Sequence, residues 1–82
     1  MLELKQKVNS PCKVVVLRAA TTSLWESTIK EFIRLTWRGT VIHGNVAKIM
    51  GKKIIFIPLG RDDKMKGLEY DHLVHWREDE SI

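Results

Sequence analysis

A continuous apolar run followed by an amphipathic segment constrains the fold of this chain more than any other feature. Residues 12–17 read Cys-Lys-Val-Val-Val-Leu, and the apolar residues follow one another without alternating with polar ones. Such a run is typical of a central strand that is covered on both faces. A short turn without glycine, residues 18–23, leads from it into a segment of helical periodicity. We therefore expect a strand–turn–helix unit at the centre of the core.

The helix is predicted over residues 23–37. Its large apolar residues fall at i, i+4, i+7 and i+8 and form one stripe, made of Trp25, Ile29, Phe32 and Ile33. Ser23 and Glu26 have the spacing of a capping box, which places the start of the helix at Ser23. Glu26 also lies four residues before Lys30, in the favourable order for an ion pair. Gly39 is predicted to end the helix.

Two or three strands are predicted after the helix. One begins at Thr40, is interrupted by a bulge at Gly44 and resumes at residues 46–49; the next covers residues 54–59. Residues 68–76 alternate with period 2 more cleanly than with period 3.6, so a strand is favoured and a helix stays open. The predicted fold class is α+β, with one amphipathic helix packed on a three- or four-stranded mixed sheet. The order is β-α-β-β-β, or β-α-β-β-α if the last segment is helical.

Length and composition indicate a single small domain. The 82 residues leave no room for a second domain. Residues 1–11 are interpreted as a polar lead-in and residues 78–82 as an acidic tail. No apolar run approaches the length of a membrane span, and the N-terminus lacks the apolar region of a signal peptide. The only cysteine, Cys12, cannot form an internal disulfide, so we expect a cytoplasmic protein without a membrane partner.

The sequence predicts neither an enzyme nor a metal or cofactor site. His72 and His75 are three residues apart, and on a strand they would point to opposite faces. The acidic residues of the 60–67 loop are expected to be solvated, so no catalytic pair of carboxylates is assigned. So small a domain binds more readily than it catalyses, because it cannot enclose a deep active site.

The basic residues give the first functional hypothesis. Residues 1–53 hold ten Lys or Arg and three Glu, a charge of +7, whereas residues 54–82 hold four Lys or Arg and seven Asp or Glu, a charge of −3; the net charge is +4. A basic face is typical of proteins that bind nucleic acid or an acidic protein surface. The residues predicted to make these contacts are Arg34, Arg38, Lys48, Lys52 and Lys53. Trp37, Tyr70 or Trp76 would stack on bases if exposed.

A partial resemblance gives the second hypothesis. Val14-Val15-Val16-Leu17, then Thr21, Trp25 and Glu26, then Leu35-Thr36-x-x-Gly39-x-Val41-Ile42 resemble the N-terminal β-α-β of phage-associated nucleoside 2-deoxyribosyltransferase-like proteins. The resemblance implies that the turn holds a nucleoside or nucleotide, through Arg18, Thr21, Thr22 and Ser23. Arg18, Ala19 and Ala20 replace the Cys, Gly and Ser of the family's turn, and the family's catalytic segment has no counterpart. The resemblance therefore implies a shortened, inactive relative.

Two functions are thus predicted. The first is a small basic, non-enzymatic adaptor or inhibitor, encoded by a phage, that binds nucleic acid or a protein that handles it. The alternative is a nucleoside- or nucleotide-binding protein related to the transferase-like domains. In either case an unpaired sheet edge would allow a homo-oligomer to form.

Overall fold

The computed structural model describes residues 2–76, which form two helices, a short 3₁₀ segment and one five-stranded mixed sheet. The elements in chain order are α1 (Leu2–Asn9), β1 (Val14–Ala19), α2 (residues 22–36, with a π-helical turn at Trp25–Ile29), β2 (Val41–His43), β3 (Val46–Ile49), β4 (Lys52–Pro58), the 3₁₀ helix Asp62–Met65, and β5 (His72–Trp76). The predicted α+β class is confirmed. The sheet has one strand more, and the chain one helix more, than predicted; the acidic tail at 78–82 lies outside the described residues.

Strand β1 lies inside the sheet, whose order is β2-β3-β4-β1-β5. It runs parallel to β4 on one side and to β5 on the other, while β3 is antiparallel to both β2 and β4. Val15, Val16 and Leu17 are completely buried although their side chains alternate between the two faces. The prediction of a central strand covered on both faces is confirmed.

Helix α2 covers one face of the sheet, as its apolar stripe predicts. The four residues of that stripe are all buried and belong to the same core as Val15, Leu17 and Ala19 of β1. The i,i+4 ion pair between Lys30 and Glu26 is present at 2.8 Å. The predicted capping box is wrong: Thr21 is the N-cap, and its Oγ1 accepts a hydrogen bond from the backbone N–H of Leu24 at 3.1 Å. The helix therefore begins one residue before Ser23.

Helix α1 was not predicted, because residues 1–11 contain few apolar residues. Two of them, Leu4 and Val8, lie four residues apart and are completely buried against the same core. Lys52 of β4 holds the end of this helix, since its Nζ donates to the carbonyl oxygens of Val8 and Ser10. A cation at a helix C-terminus also interacts favourably with the helix dipole.

The strand predicted at 40–49 is a hairpin of two strands, so the bulge assigned to Gly44 is wrong. Gly44 and Asn45 form the turn between β2 and β3, and Gly44 adopts a φ of +58°. A positive φ at the first central residue is what a two-residue type II′ hairpin turn requires. Residues 50 and 51 connect β3 to β4, and both have a positive φ, as in a type I′ turn.

Two connections join parallel strands, one from β1 to β2 through α2 and one from β4 to β5, and they cross opposite faces of the sheet. Helix α2 follows β1 and covers the face that carries Val15, Leu17 and Ala19, here called the helix face. The connection at 59–71 follows β4 and returns past β1 to β5 in the opposite direction. Right-handed crossovers in opposite directions must use opposite faces. The face opposite the helix face carries Val14, Val16 and Arg18 and is here called the loop face. The connection contacts this face, because the side chain of Arg18 donates a hydrogen bond to Asp62.

A substitution in the apolar stripe tests this packing. Ile33→Ala removes a completely buried side chain from helix α2, and we expect the free energy of unfolding to fall by about 2–5 kcal/mol. Leu35→Ala on the same helix is the matched control: Leu35 is 75% exposed, and its loss should change stability by less than about 0.5 kcal/mol. Urea unfolding followed by tryptophan fluorescence measures both. Equal effects of the two substitutions would contradict the described orientation of α2.

Candidate functional site

The loop face is covered over part of the sheet only. Val16, Arg18 and Ile57 are buried at its centre, beside the 59–71 connection. Towards the other edge of the sheet, Val41 and His43 of β2 are exposed, and Val46 and Ile55 are half-buried. The part of the loop face formed by β2, β3 and the amino-terminal half of β4 is therefore open to solvent.

Two of the predicted lysines lie together on this open surface. Lys48 of β3 and Lys53 of β4 are Cα partners in the antiparallel ladder, and both are exposed. Val14 of β1 is in turn the Cα partner of Lys53. We call the line Lys48–Lys53–Val14 the basic row. Like charges directly opposite each other destabilise a sheet, so folding does not account for this pair.

The strand residues around the basic row carry no negative charge. By strand alternation, the loop-face positions of the five described strands hold valine, leucine, isoleucine, lysine, arginine and histidine, and no Asp or Glu. Within residues 2–76, the ion pairs join Arg18 to Asp62, Lys30 to Glu26 and Arg61 to Asp63. None of them involves Lys48 or Lys53, so the positive charge of the row is not neutralised there.

The other three residues of the predicted basic site are not brought to this surface. Lys52 neighbours Lys53 in the chain and therefore points to the helix face, where its ammonium is bonded to α1. Arg34 lies on α2 and Arg38 just after it; both are exposed, on the side of the molecule where the helices pack. The predicted set of five residues is thus divided between two sides of the sheet.

The aromatic residues predicted to stack on bases differ in their exposure to solvent. Trp25, Trp37 and Trp76 are all at most 7% exposed, so Trp37 and Trp76 are core residues and present no stacking surface. Tyr70 is 41% exposed. It lies in the 59–71 connection, two residues before β5, and it is the one predicted stacking residue that solvent reaches.

Tyr70 lines a cavity beside the end of the basic row. This amino-end cavity has a volume of about 360 Å³ and is lined by Lys13, Val14, Glu69, Tyr70 and Asp71. Asp71 fixes its wall, because its Oδ2 accepts hydrogen bonds from the backbone N–H groups of Lys13 and Val14 at 2.8 and 2.9 Å. These bonds, from Val14 and then Lys13, hold the pKa of the Asp71 carboxyl below its ordinary value.

A second concave site lies at the opposite end of the sheet, where β1 and β4 finish. This carboxyl-end cleft has a volume of about 260 Å³, and its lining includes Thr22, Trp25, Asn45, Phe56, Arg61 and Lys64. Trp25 and Phe56 stack on each other in parallel, with centroids 5.0 Å apart. The connections after β1 and β4 leave to opposite faces, and in open α/β sheets ligands bind at such a switch point.

The residues implied by the transferase-like resemblance do not converge on one ligand position. Thr22 lines the carboxyl-end cleft, and Thr21 and Ser23 flank it at the helix start, where the Thr21 hydroxyl already caps the helix. Arg18 is buried on the loop face, and its Nη2 donates to the Pro58 carbonyl at 3.2 Å and to Asp62 at 2.8 Å. It therefore ties the 59–71 connection to β1.

Sequence reasoning missed the amino-end cavity and most of the cleft. The sequence places Arg61 and Lys64 in a charged loop that is expected to be solvated, and Lys13 is not among the five basic residues predicted to bind. Within residues 2–76, no group of three His, Cys, Asp or Glu is placed to hold a metal, and neither helix is long and apolar enough to cross a membrane. His72 and His75 lie on opposite faces of β5.

Comparison with family models, curated proteins and solved structures gives no match to this chain. The resemblance to nucleoside 2-deoxyribosyltransferase-like proteins stays a prediction.

Asp71 provides a test of the cavity wall through pH. Because its pKa is lower in the folded protein than in the unfolded chain, its stabilising contribution is full above the unfolded value of about 3.9 and is lost as the pH falls through the folded pKa. Asp71→Asn should therefore lower the melting temperature at pH 7, and the difference from the original protein should shrink below about pH 4. Glu69→Gln, on the exposed neighbour, is the control. A pH-independent difference would show that the carboxylate charge is not the cause.

Proposed function

We propose that this protein is a non-enzymatic binding protein that attaches to nucleic acid through the basic row on the open part of its sheet. The observation that carries the proposal is the pair Lys48 and Lys53, exposed side by side on a strand surface without carboxylates. The proposal keeps the first predicted function and narrows its site from five residues to two. A cytoplasmic location belongs to the same proposal, since the nucleic acid must be accessible.

The geometry of the row supports a phosphate backbone as its ligand. Adjacent strands are about 4.8 Å apart, which is less than the Debye length of about 8 Å at physiological ionic strength. Both ammonium groups therefore act together on a nearby anion. A chain of phosphates that crosses the strands meets successive cations, and the neutralised phosphates release their counterions. Binding of this kind weakens severalfold between low and physiological salt.

An acidic protein surface is the competing partner, and the structure favours it less. Protein interfaces depend on a central cluster of buried aromatic or arginine anchors. On the open surface the exposed neighbours of the row are Val41 and His43, and the tryptophans are buried in the core. Charge is the dominant feature that this surface offers, and a polyphosphate backbone needs little else.

Removal of the two lysines tests the proposal. We expect the double substitution Lys48→Ala/Lys53→Ala to weaken binding of a fluorescein-labelled oligonucleotide and to lower the slope of log K against log [salt]. The slope for a single strand should fall by about 1.4, corresponding to two lost phosphate contacts. Fluorescence anisotropy across a salt series measures both quantities.

A matched double substitution controls for net charge. Arg34→Ala/Arg38→Ala removes the same charge from the helix side, and we expect a smaller loss of affinity with little change in slope. If both variants lose affinity equally, the ligand senses overall charge and the basic row is not the site. Stronger binding of poly-glutamate than of the oligonucleotide would assign the surface to an acidic protein.

The carboxyl-end cleft supports the alternative prediction of a nucleotide ligand. Its position at the switch point of the sheet is the specific observation in favour. The cations Arg61 and Lys64 border it, although Arg61 is paired with Asp63 at 3.3 Å. The stacked Trp25 and Phe56 add aromatic surface. We therefore propose a mononucleotide as a second candidate ligand, independent of the basic row.

The indole of Trp25 reports on this second candidate. Its Nε1–H donates to the carbonyl oxygen of Gly44 at 3.0 Å, beside the cleft, so a ligand there must perturb its NMR signal. We expect titration with a mononucleotide to shift the Trp25 indole and the Thr22 amide, and Arg61→Ala/Lys64→Ala to abolish the shifts. A titration to millimolar concentration that leaves both signals unchanged would eliminate the cleft as a nucleotide site.

A further inference from the structure

We infer that the amino-end cavity receives an unpaired base, so that the protein selects single-stranded over duplex nucleic acid. The inference rests on the proposed function, because it extends the basic row by a second kind of contact. The row supplies charge alone, which gives no preference for a single strand over a duplex. The cavity adds an exposed aromatic ring at the end of that row, and a base is accessible to such a ring only when it is unpaired.

The cavity continues the basic row without a gap. Val14 belongs to both, since it is the Cα partner of Lys53 and also lines the cavity. Lys13, the residue before it, is exposed and accepts a backbone hydrogen bond at 2.9 Å from the N–H of Lys53. The path from Lys48 to Val14 crosses two strand spacings, or about 10 Å. A strand whose phosphates follow the row therefore brings its next nucleotide to the cavity.

Tyr70 is the group that recognises the base. It is the only tyrosine in the chain, and it is 41% exposed, whereas the three tryptophans are buried. The cavity beside it has a volume of about 360 Å³, within the range of roughly 300–1,000 Å³ that is typical of small-molecule sites. An aromatic ring held at the rim of a cavity offers one face to a base without a large ordering cost, because the backbone beside it is fixed by Asp71.

The charged residues that line the cavity include one that attracts a phosphate and one that repels it. Asp71 is already committed to two backbone N–H groups, so its negative charge is partly compensated. Lys13 contributes a cation at the same rim. Glu69 is the remaining carboxylate of the lining and is exposed. It must repel a phosphate there, so its neutralisation should strengthen binding.

The experiment compares three labelled ligands of one length: oligothymidylate, an abasic single strand with the same phosphates, and a duplex. For the full chain we expect the tightest binding to oligothymidylate. Tyr70→Ala should weaken that binding roughly 5- to 150-fold, the range for loss of one stacked base, and should leave binding of the abasic strand unchanged. Tyr70→Phe keeps the ring and should bind as the original does. Glu69→Gln should bind both single strands more tightly.

A direct signal accompanies the affinities. Stacking should move the ring protons of the single tyrosine upfield when oligothymidylate is added, and the abasic strand should not do so. Unchanged affinity of Tyr70→Ala for oligothymidylate, or an equal loss on the abasic strand, overturns the inference. In that case the salt slope and the Lys48→Ala/Lys53→Ala variant still decide the proposed function. Failure of the original protein to bind any of the three ligands overturns both.

Discussion

Strand β1 has to be covered on both of its faces, and this requirement organises the rest of the molecule. Its three residues Val15, Val16 and Leu17 are completely buried, and each gains roughly 1.5–3 kcal/mol only if its own face of the sheet is shielded from water. Helices α1 and α2 shield the helix face. The 59–71 connection crosses the loop face and is held to β1 by Arg18, which bonds to Pro58 and Asp62. The Nε of Arg18 is buried without a hydrogen-bond partner, and this unsatisfied donor lowers the stability that the Arg18 contacts provide.

This arrangement also decides which surface is left open. A connection of thirteen residues, 59–71, can cover β1 and its immediate neighbours but does not extend over the β2–β3 hairpin. The hairpin is needed for a different reason: Ala47 and Ile49 of β3 complete the helix face, so their neighbours Val46 and Lys48 must point the other way. The position of the open surface is thus a consequence of how the core is closed.

Much of this could be read from the sequence, and the omissions have physical reasons. The apolar run of β1 and the stripe of α2 repeat over enough residues to be unambiguous. Helix α1 depends on two buried residues, Leu4 and Val8, which is too short a pattern to separate from chance. The division of the lysines was not readable, because Lys52 and Lys53 precede the strand predicted at 54–59. In the structure β4 begins at Lys52, and consecutive strand residues face opposite sides. The exposure of Tyr70 was not readable, because β5 begins only at His72, inside the segment where both periods fitted.

The two ends of the sheet differ in how their positive charge is balanced. At the carboxyl end, two consecutive aspartates compensate two arginines, since Asp62 pairs with Arg18 and Asp63 with Arg61. The hydrogen bond that Arg61 donates to Asp63 lowers the pKa of the Asp63 carboxyl. At the amino end, Lys48 and Lys53 have no such partner within residues 2–76. An approaching polyanion therefore meets two cations that have no ion-pair partner in the described part of the chain, whereas a ligand of the cleft has to compete with Asp63 for Arg61. That difference is why the row, and not the cleft, is the stronger candidate for the principal binding surface.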